Sequence, residues 1–305
     1  KNIVLRQNGI KQRFYAVNTK QEMTHTNAEL AQLSIQKLLT EALLPLQELE
    51  LLACATASPD QVLPSHASMV HGLLKNAPME IFSASGICLS CVQAFKIAYL
   101  SILAGDKRNA VCSCSELASA GLLSKNFDVE YEKCANLGIQ PYMALEKDFL
   151  RFMLSDGASA VLLQDNPGKG KALHIEWVEM TSYANELPTC MFMGAEKEKN
   201  GELKSWKSFS SQELTDRSLF TVKQDIKLLE KNAVPYWAKH IKYCLEKHNV
   251  APESISYVLP HVSSMFFYDK IINELKGIGI GIDESKWFTN LSRVGNIASA
   301  AIFAI

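Results

Sequence analysis

Hydrophobic positions switch repeatedly between helical and strand periods along the first half of the chain. Thr26-x-x-Glu29 is a capping box. The segment after it sets Ala31, Ile35, Leu38 and Ala42 on one helical face and stops before Pro45. Residues 50–56 (ELLACAT) form a nearly unbroken apolar run, as in a strand buried on both faces of its sheet. Ser58-Pro59-Asp60 turns the chain, and residues 65–74 predict a short helix. A second apolar run at Ile81-Phe82 passes through Ser83-Ala84-Ser85-Gly86 into a helix over residues 89–103, closed by Gly105. Residues 109–113 and 158–163 read as further strands, the latter after the turn Ser155-Asp156-Gly157. Residues 1–20 read as strand or loop with a turn at Asn8-Gly9, residues 121–138 as irregular, and residues 145–153 as helix. Helices alternating with strands predict an α/β fold.

The turn cluster Asp165-Asn166-Pro167-Gly168-Lys169-Gly170 is the best internal boundary and divides the chain into 1–167 and 168–305. Beyond it, residues 171–181 predict a strand and the charged residues 197–207 an exposed loop. A long helical region follows over 220–247, with a kink or break expected at Val234-Pro235. Residues 254–259 predict a buried strand ending at Pro260-His261, and residues 264–275 a helix. A loop over 289–295 leads to Asn296 and a helix of small residues. The GIGIGI run lacks the GxGxxG spacing of a dinucleotide site. Each half thus offers a strand, a reactive residue at its carboxyl end, and then a helix, a faint sign of a duplicated unit.

Composition narrows the function classes. With 305 residues, 48% of them hydrophobic, the chain can build one large core or two domains. A net charge of -1 offers no electrostatic footprint for nucleic acid. The sequence contains no uncharged apolar run of about 18 residues to span a membrane and no signal-peptide pattern at Lys1-Asn2-Ile3-Val4-Leu5. Several of the eight cysteines lie in apolar patterns rather than turns, which suits a reducing, cytoplasmic compartment. Cys112-Ser113-Cys114 lacks the usual spacing of a zinc half-site, and no metal site is expected.

Cys88 stands where the small residues meet the long helix. Unpaired N–H groups and the positive end of the helix dipole favour a thiolate there, and the small residues leave room for a substrate. A plain buried cysteine, the commoner fate of the residue, fits the same pattern. Of seven histidines, His261 is the best placed partner, at the carboxyl end of an expected strand; a histidine held by the backbone is the alternative. Asn296 is either a helix cap or a neutral amide donor for developing negative charge. A Cys/His/Asn set can carry acyl transfer, one possibility among several.

Ordered fragments along nearly the whole chain resemble a known family. They are Gly9-Ile10-x-x-Arg13, Thr56-x-x-Pro59-Asp60 with Pro64-Ser65, Cys88, Ser155-Asp156-Gly157-Ala158-Ser159-Ala160, His261, and Arg293-Val294-Gly295-Asn296. In this order they are similar to the thiolase-fold condensing enzymes of the β-ketoacyl-acyl-carrier-protein synthase III group. The resemblance implies an α/β fold in five layers, αβαβα, built from two similar halves, and a homodimer formed through the first. It implies catalytic Cys88, His261 and Asn296 and no tightly bound cofactor. Its substrates would be coenzyme A or phosphopantetheine thioesters, with an acyl carrier protein as partner. An acyl group would pass to Cys88, and the carbanion from a decarboxylated malonyl thioester would attack it while His261 and Asn296 donate to the enolate oxygen. Further residues are expected before Lys1 and after Ile305.

Departures from the family pattern bear on the donor. Ile3 and Gln7 stand where many members carry a tryptophan and an arginine that contact coenzyme A, which leaves room for a carrier-bound donor. Leu89-Ser90-Cys91 replaces Ala-Gly-Phe, Val262-Ser263-Ser264 replaces Gln-Ala-Asn, and Ser155 replaces a glycine. Transfer of the acyl group to an amine, an alcohol or water, as in a thioesterase, is the rival enzymatic reading, and a non-catalytic partner subunit of a synthase the non-enzymatic one. Arg13 is expected to pair within the fold.

Overall fold

The computed structural model describes residues 6–128, 150, 152–166, 170 and 172–305. Ile3, Cys134, most of the helix expected over 145–153 and the middle of the 165–170 turn cluster lie outside those residues. The first unit is a four-stranded sheet of β1 (Leu51–Thr56), β2 (Glu80–Ser85), β3 (Asn109–Glu116) and β4 (Gly157–Gln164), in the order β2-β1-β3-β4. β1 runs parallel to β2 and β3, and β4 runs antiparallel to β3.

Alternation along β1 explains its unbroken apolar run. Leu52 and Cys54 face one way, into a cluster with α1 (Asn27–Ala42) and α2 (His66–Leu74). Leu51, Ala53 and Ala55 face the other way, against α3 (Ser90–Leu103) and the 3₁₀ stretch Ala298–Phe303. Both faces are dry, so no polar position is tolerated in between. The expected capping box opens α1: Thr26 N–H donates to Glu29 at 2.7 Å and Glu29 N–H to Thr26 at 3.2 Å. The buried face is Ala28, Ala31, Ile35 and Leu39, not the expected stripe through Ala42, which is exposed. Steps of three and four starting from Ala28 keep the stripe over the sheet, and the left-handed Leu43 ends the helix there.

The second half departs further from expectation. Residues 172–181 join no described strand, and Leu173 is 94% exposed. An apolar run makes a strand only where a neighbour completes the hydrogen-bond ladder. The charged stretch is a hairpin rather than a plain loop. β6 (Ala195–Lys197) pairs with β7 (Leu203–Ser205) around Asn200-Gly201. The long helix α4 (Ile226–Lys247) runs unbroken through Pro235. It starts after Phe220 because Lys223–Gln224 pairs as β8 with β5 (Met191–Phe192) and Asp225 then caps the helix.

Residues 254–259 are not a buried strand. They make one bridge, Val258 to Trp287, and leave Tyr257 and Leu259 exposed. Residues 289–295 include a short helix, Leu291–Val294, rather than loop throughout, and Asn296 leads into a 3₁₀ stretch rather than an α-helix. The helix expected near 264–275 is present as α5 (Tyr268–Gly277), and a second core forms between α4, α5, Trp287 and Leu291.

Candidate active site

Cys88 lies in the turn between β2 and α3 and is partly exposed. The Cys91 thiol donates to its carbonyl at 3.1 Å. Burial of the sulfur, with the neighbouring Glu116 carboxylate and the Cys91 thiol, pushes the Cys88 thiol up to about 12. This reverses the expectation from the helix dipole. Desolvation of a thiolate outweighs a partial charge that falls off within one turn. The free protein therefore holds Cys88 as a neutral thiol.

His261 is partly buried between the buried Pro260 and Val262. Burial draws its imidazole down to about 4, so the ring is neutral near pH 7. A neutral ring can accept a proton on one nitrogen while the other donates.

Asn296 is buried and pinned through its backbone. Its N–H donates to Met153 O at 3.0 Å, and its carbonyl accepts from Ser155 N–H at 2.9 Å. Its Oδ1 accepts from Ala298 N–H at 3.0 Å, so the side chain folds back over its own turn. The Nδ2 group donates to no described residue. Gly295 precedes it with φ of 75°. A Cβ there would lie 2.9 Å from Ser155 Cβ and 3.0 Å from Arg13 Cγ, so only glycine lets the three segments meet.

Backbone hydrogen bonds link these segments. Met265 N–H, past His261, donates to Asn8 O at 3.0 Å. Lys11 N–H donates to Ser292 O, ahead of Asn296, at 3.0 Å. Asn8 and Arg13 both donate to Phe152 O at 2.9 Å, which fixes residues 8–13 as a strap beside the start of β4. Arg13 also donates to Tyr15 at 3.0 Å, so it pairs inside the fold as expected. Asp156 accepts from Ala16 N–H at 2.7 Å, from Ser119 N–H at 2.8 Å and from the Ser119 hydroxyl. The strap thus joins the His261 loop to the Asn296 loop. No hydrogen bond joins Cys88, His261 and Asn296 to one another.

Several contributors escaped the sequence reading. Asp60 caps α1 by accepting from Asn27 N–H at 2.8 Å and Ala28 N–H at 2.9 Å. His66 is a core histidine, 3.0 Å from the Ser115 hydroxyl. Glu116 ends β3 with 2% of its surface exposed. An acid closing a buried apolar strand was the available signal, since a carboxylate is buried only where donors surround it.

Among the described residues no cluster of three or more His, Cys, Asp or Glu could hold a metal ion, and no helix is long and apolar enough to cross a membrane. No family model matches the chain. The chain is 24% identical over 294 residues to a β-ketoacyl-[acyl-carrier-protein] synthase III of Clostridium perfringens (strain SM101 / Type A), covering 96% of this chain and 77% of that protein. It is 27% identical over 294 residues to the synthase of the same name from Aquifex aeolicus, covering 96% and 76%. Its fold matches the tetronic acid condensing enzyme AbyA1 with a TM-score of 0.72 at 20% identity, covering 99% of this chain and 80% of that one. This is a thiolase-fold chain related to the β-ketoacyl-acyl-carrier-protein synthase III condensing enzymes. A further structural match of this chain is Xanthomonas campestris OleA with bound lauric acid and lauroyl-CoA, TM-score 0.66 at 18% identity over 99% of this chain and 78% of that one.

Proposed function

We propose that this protein is a decarboxylative condensing enzyme that works through an acyl-Cys88 intermediate, with His261 and Asn296 as donors to the enolate. The observation that carries the reading is the pair of neutral donors on loops tied to one strap: a partly buried imidazole drawn down to about 4 and a buried amide whose Nδ2 group donates to no described residue. Neutral donors stabilise an enolate more than the carbonyl it comes from, so they accelerate the step that creates the charge.

In the first half-reaction the Cys88 sulfur forms a bond to the acyl carbonyl carbon and the donor's C–S bond breaks. The Cys88 proton passes to neutral His261 and then to the departing thiol. In the second, a malonyl thioester loses carbon dioxide. Its enolate carbon forms a bond to the acyl carbonyl, and the carbonyl–Cys88 bond breaks. The released Cys88 thiolate takes a proton from solvent.

The substrates of this reading are coenzyme A or phosphopantetheine thioesters, and the partner is an acyl carrier protein. The curated relatives are named for a carrier protein, whereas the OleA structure holds lauroyl-CoA. Gln7 in place of an arginine favours the carrier-bound donor. A homodimer through β2 accompanies the reading. β2 is an edge strand, and Ile87 and Leu89 just beyond it are 37% and 48% exposed. A cytoplasmic setting belongs to this reading, since several of the cysteines lie in apolar patterns rather than in turns. Val262-Ser263-Ser264 after His261 favours a second reading, acyl transfer to another nucleophile without condensation.

Product analysis separates the two. The purified protein is given an acyl thioester and carboxyl-labelled malonyl carrier. Labelled carbon dioxide with a β-keto product two carbons longer is expected. Acyl discharge to water or an amine without label release would replace condensation by simple transfer.

A further inference from the structure

The buried carboxylate of Glu116 has no place in the chemistry above, yet it touches the supports of two of the three site residues. Its Oε1 accepts from Ala57 N–H at 3.0 Å, from Ser299 N–H at 3.3 Å and from the Ser299 hydroxyl. Its Oε2 accepts from the Ser58 hydroxyl at 2.8 Å, and Ser58 Oγ in turn accepts from Leu117 N–H at 2.9 Å. Four donors from two distant segments therefore converge on one side chain at the end of β3. No Lys or Arg pairs with it among the described residues. Burial pushes its carboxyl above the usual carboxylate range against the pull of these donors, and hydrogen bonds alone hold it in place.

Ser299 belongs to the Asn296 turn. Asn296 Oδ1 accepts from Ala298 N–H, and Ser299 follows at once, so the turn moves as one piece. Ala57 and Ser58 leave the end of β1, the strand beside β2, which carries the Cys88 turn. We propose that Glu116 is a positioning residue that locks the Asn296 turn to the sheet end carrying Cys88, and so sets the distance between amide donor and nucleophile. This inference rests on the roles given to Cys88 and Asn296 above.

The test compares two half-reactions in Ser299→Ala, Asn296→Ala, their double variant and Glu116→Gln. Acylation of Cys88 is followed by intact mass, and decarboxylation of malonyl carrier by carbon dioxide release. Ser299→Ala loosens the Asn296 turn without touching substrate. It is expected to slow decarboxylation about 10- to 100-fold while acylation stays within about 2-fold of wild type, since Cys88 keeps its own supports. In the double variant the losses should not multiply, because a turn without Asn296 has no amide left to misplace. Glu116→Gln replaces one of the two accepting oxygens by an amide NH2 that faces donors, and it should likewise slow decarboxylation while sparing acylation. Ser299→Ala decarboxylating at the wild-type rate, or losses that multiply in the double variant, would overturn the proposal. So would wild-type decarboxylation by folded Glu116→Gln. A wild-type protein that never acylates Cys88 would instead remove the parent reading, and the two failures are distinguishable by that first measurement.

Discussion

Alkylation of Cys88 provides a direct contest between the helix end and desolvation. A thiol pushed up to about 12 has a thiolate fraction near 10⁻⁴ at pH 8, whereas an ordinary thiol near 8.5 is about one-quarter ionised. The population difference is roughly 10³-fold. Part of it is recovered, because a more basic thiolate is intrinsically more nucleophilic, by about 30-fold over this interval. The net expectation is iodoacetamide alkylation about 10²-fold slower than free N-acetylcysteine at pH 8, with log rate rising one unit per pH unit up to pH 10 and no plateau. Mass mapping of the peptide that carries Cys88 measures this while excluding the other thiols. A plateau below pH 9, or a rate matching the free thiol, would refute the reasoning and return the advantage to the helix dipole. The expected result also constrains mechanism. An enzyme that stores a neutral thiol must remove its proton as the acyl group arrives, and a neutral His261 is able to take it.

Three further outcomes follow from the packing. Gly295→Ala forces a Cβ against Ser155 and Arg13 at φ 75° and should cost about 2–4 kcal/mol in urea unfolding; a change under about 0.5 kcal/mol would show that the three segments have slack. Asp156→Asn takes an acceptor from Ala16 N–H or Ser119 and should destabilise by about 2 kcal/mol, which thermal unfolding would reveal. His261 contributes to acid lability. The unfolded ring takes up a proton near 6.5 and the folded ring only near 4, so the unfolded state binds more protons between those values. Stability should be level above about pH 6.5 and fall towards pH 4, by up to about 2 kcal/mol after discounting for the ring's partial exposure. His261→Gln should flatten that part of a urea-midpoint profile, and an unchanged slope would locate the lability elsewhere.

Much of the first sheet was legible because its signals are local. The ELLACAT run needs burial on both faces, and the box at Thr26 and Glu29 needs a helix to cap. Residues 172–181 and 254–259 carry similar apolar runs without becoming full strands. Periodicity records what a segment can bury, not whether a neighbour supplies the ladder. Asn200-Gly201 announced a hairpin turn, but the charged residues around it masked the signal. Pro235 sits inside a helix whose flanking turns have enough tertiary contacts to carry the lost N–H. At the site, Cys88, His261 and Asn296 were readable as residue types at element junctions. The balance of forces on Cys88 was not, because desolvation depends on what packs over the sulfur. Nor was Glu116, whose partners lie 59 and 183 residues away in sequence.

Intact mass tests the central claim most directly. The protein and its Cys88→Ala variant are incubated with a panel of acyl-coenzyme A and acyl-carrier thioesters, and malonyl carrier is then added to any acylated sample. A mass gain of one acyl group that is absent from Cys88→Ala, and that disappears on adding malonyl carrier as a β-keto product forms, is the expected result. Absence of acylation from every donor by a folded protein, or the same gain in Cys88→Ala, would contradict Cys88 as the nucleophile.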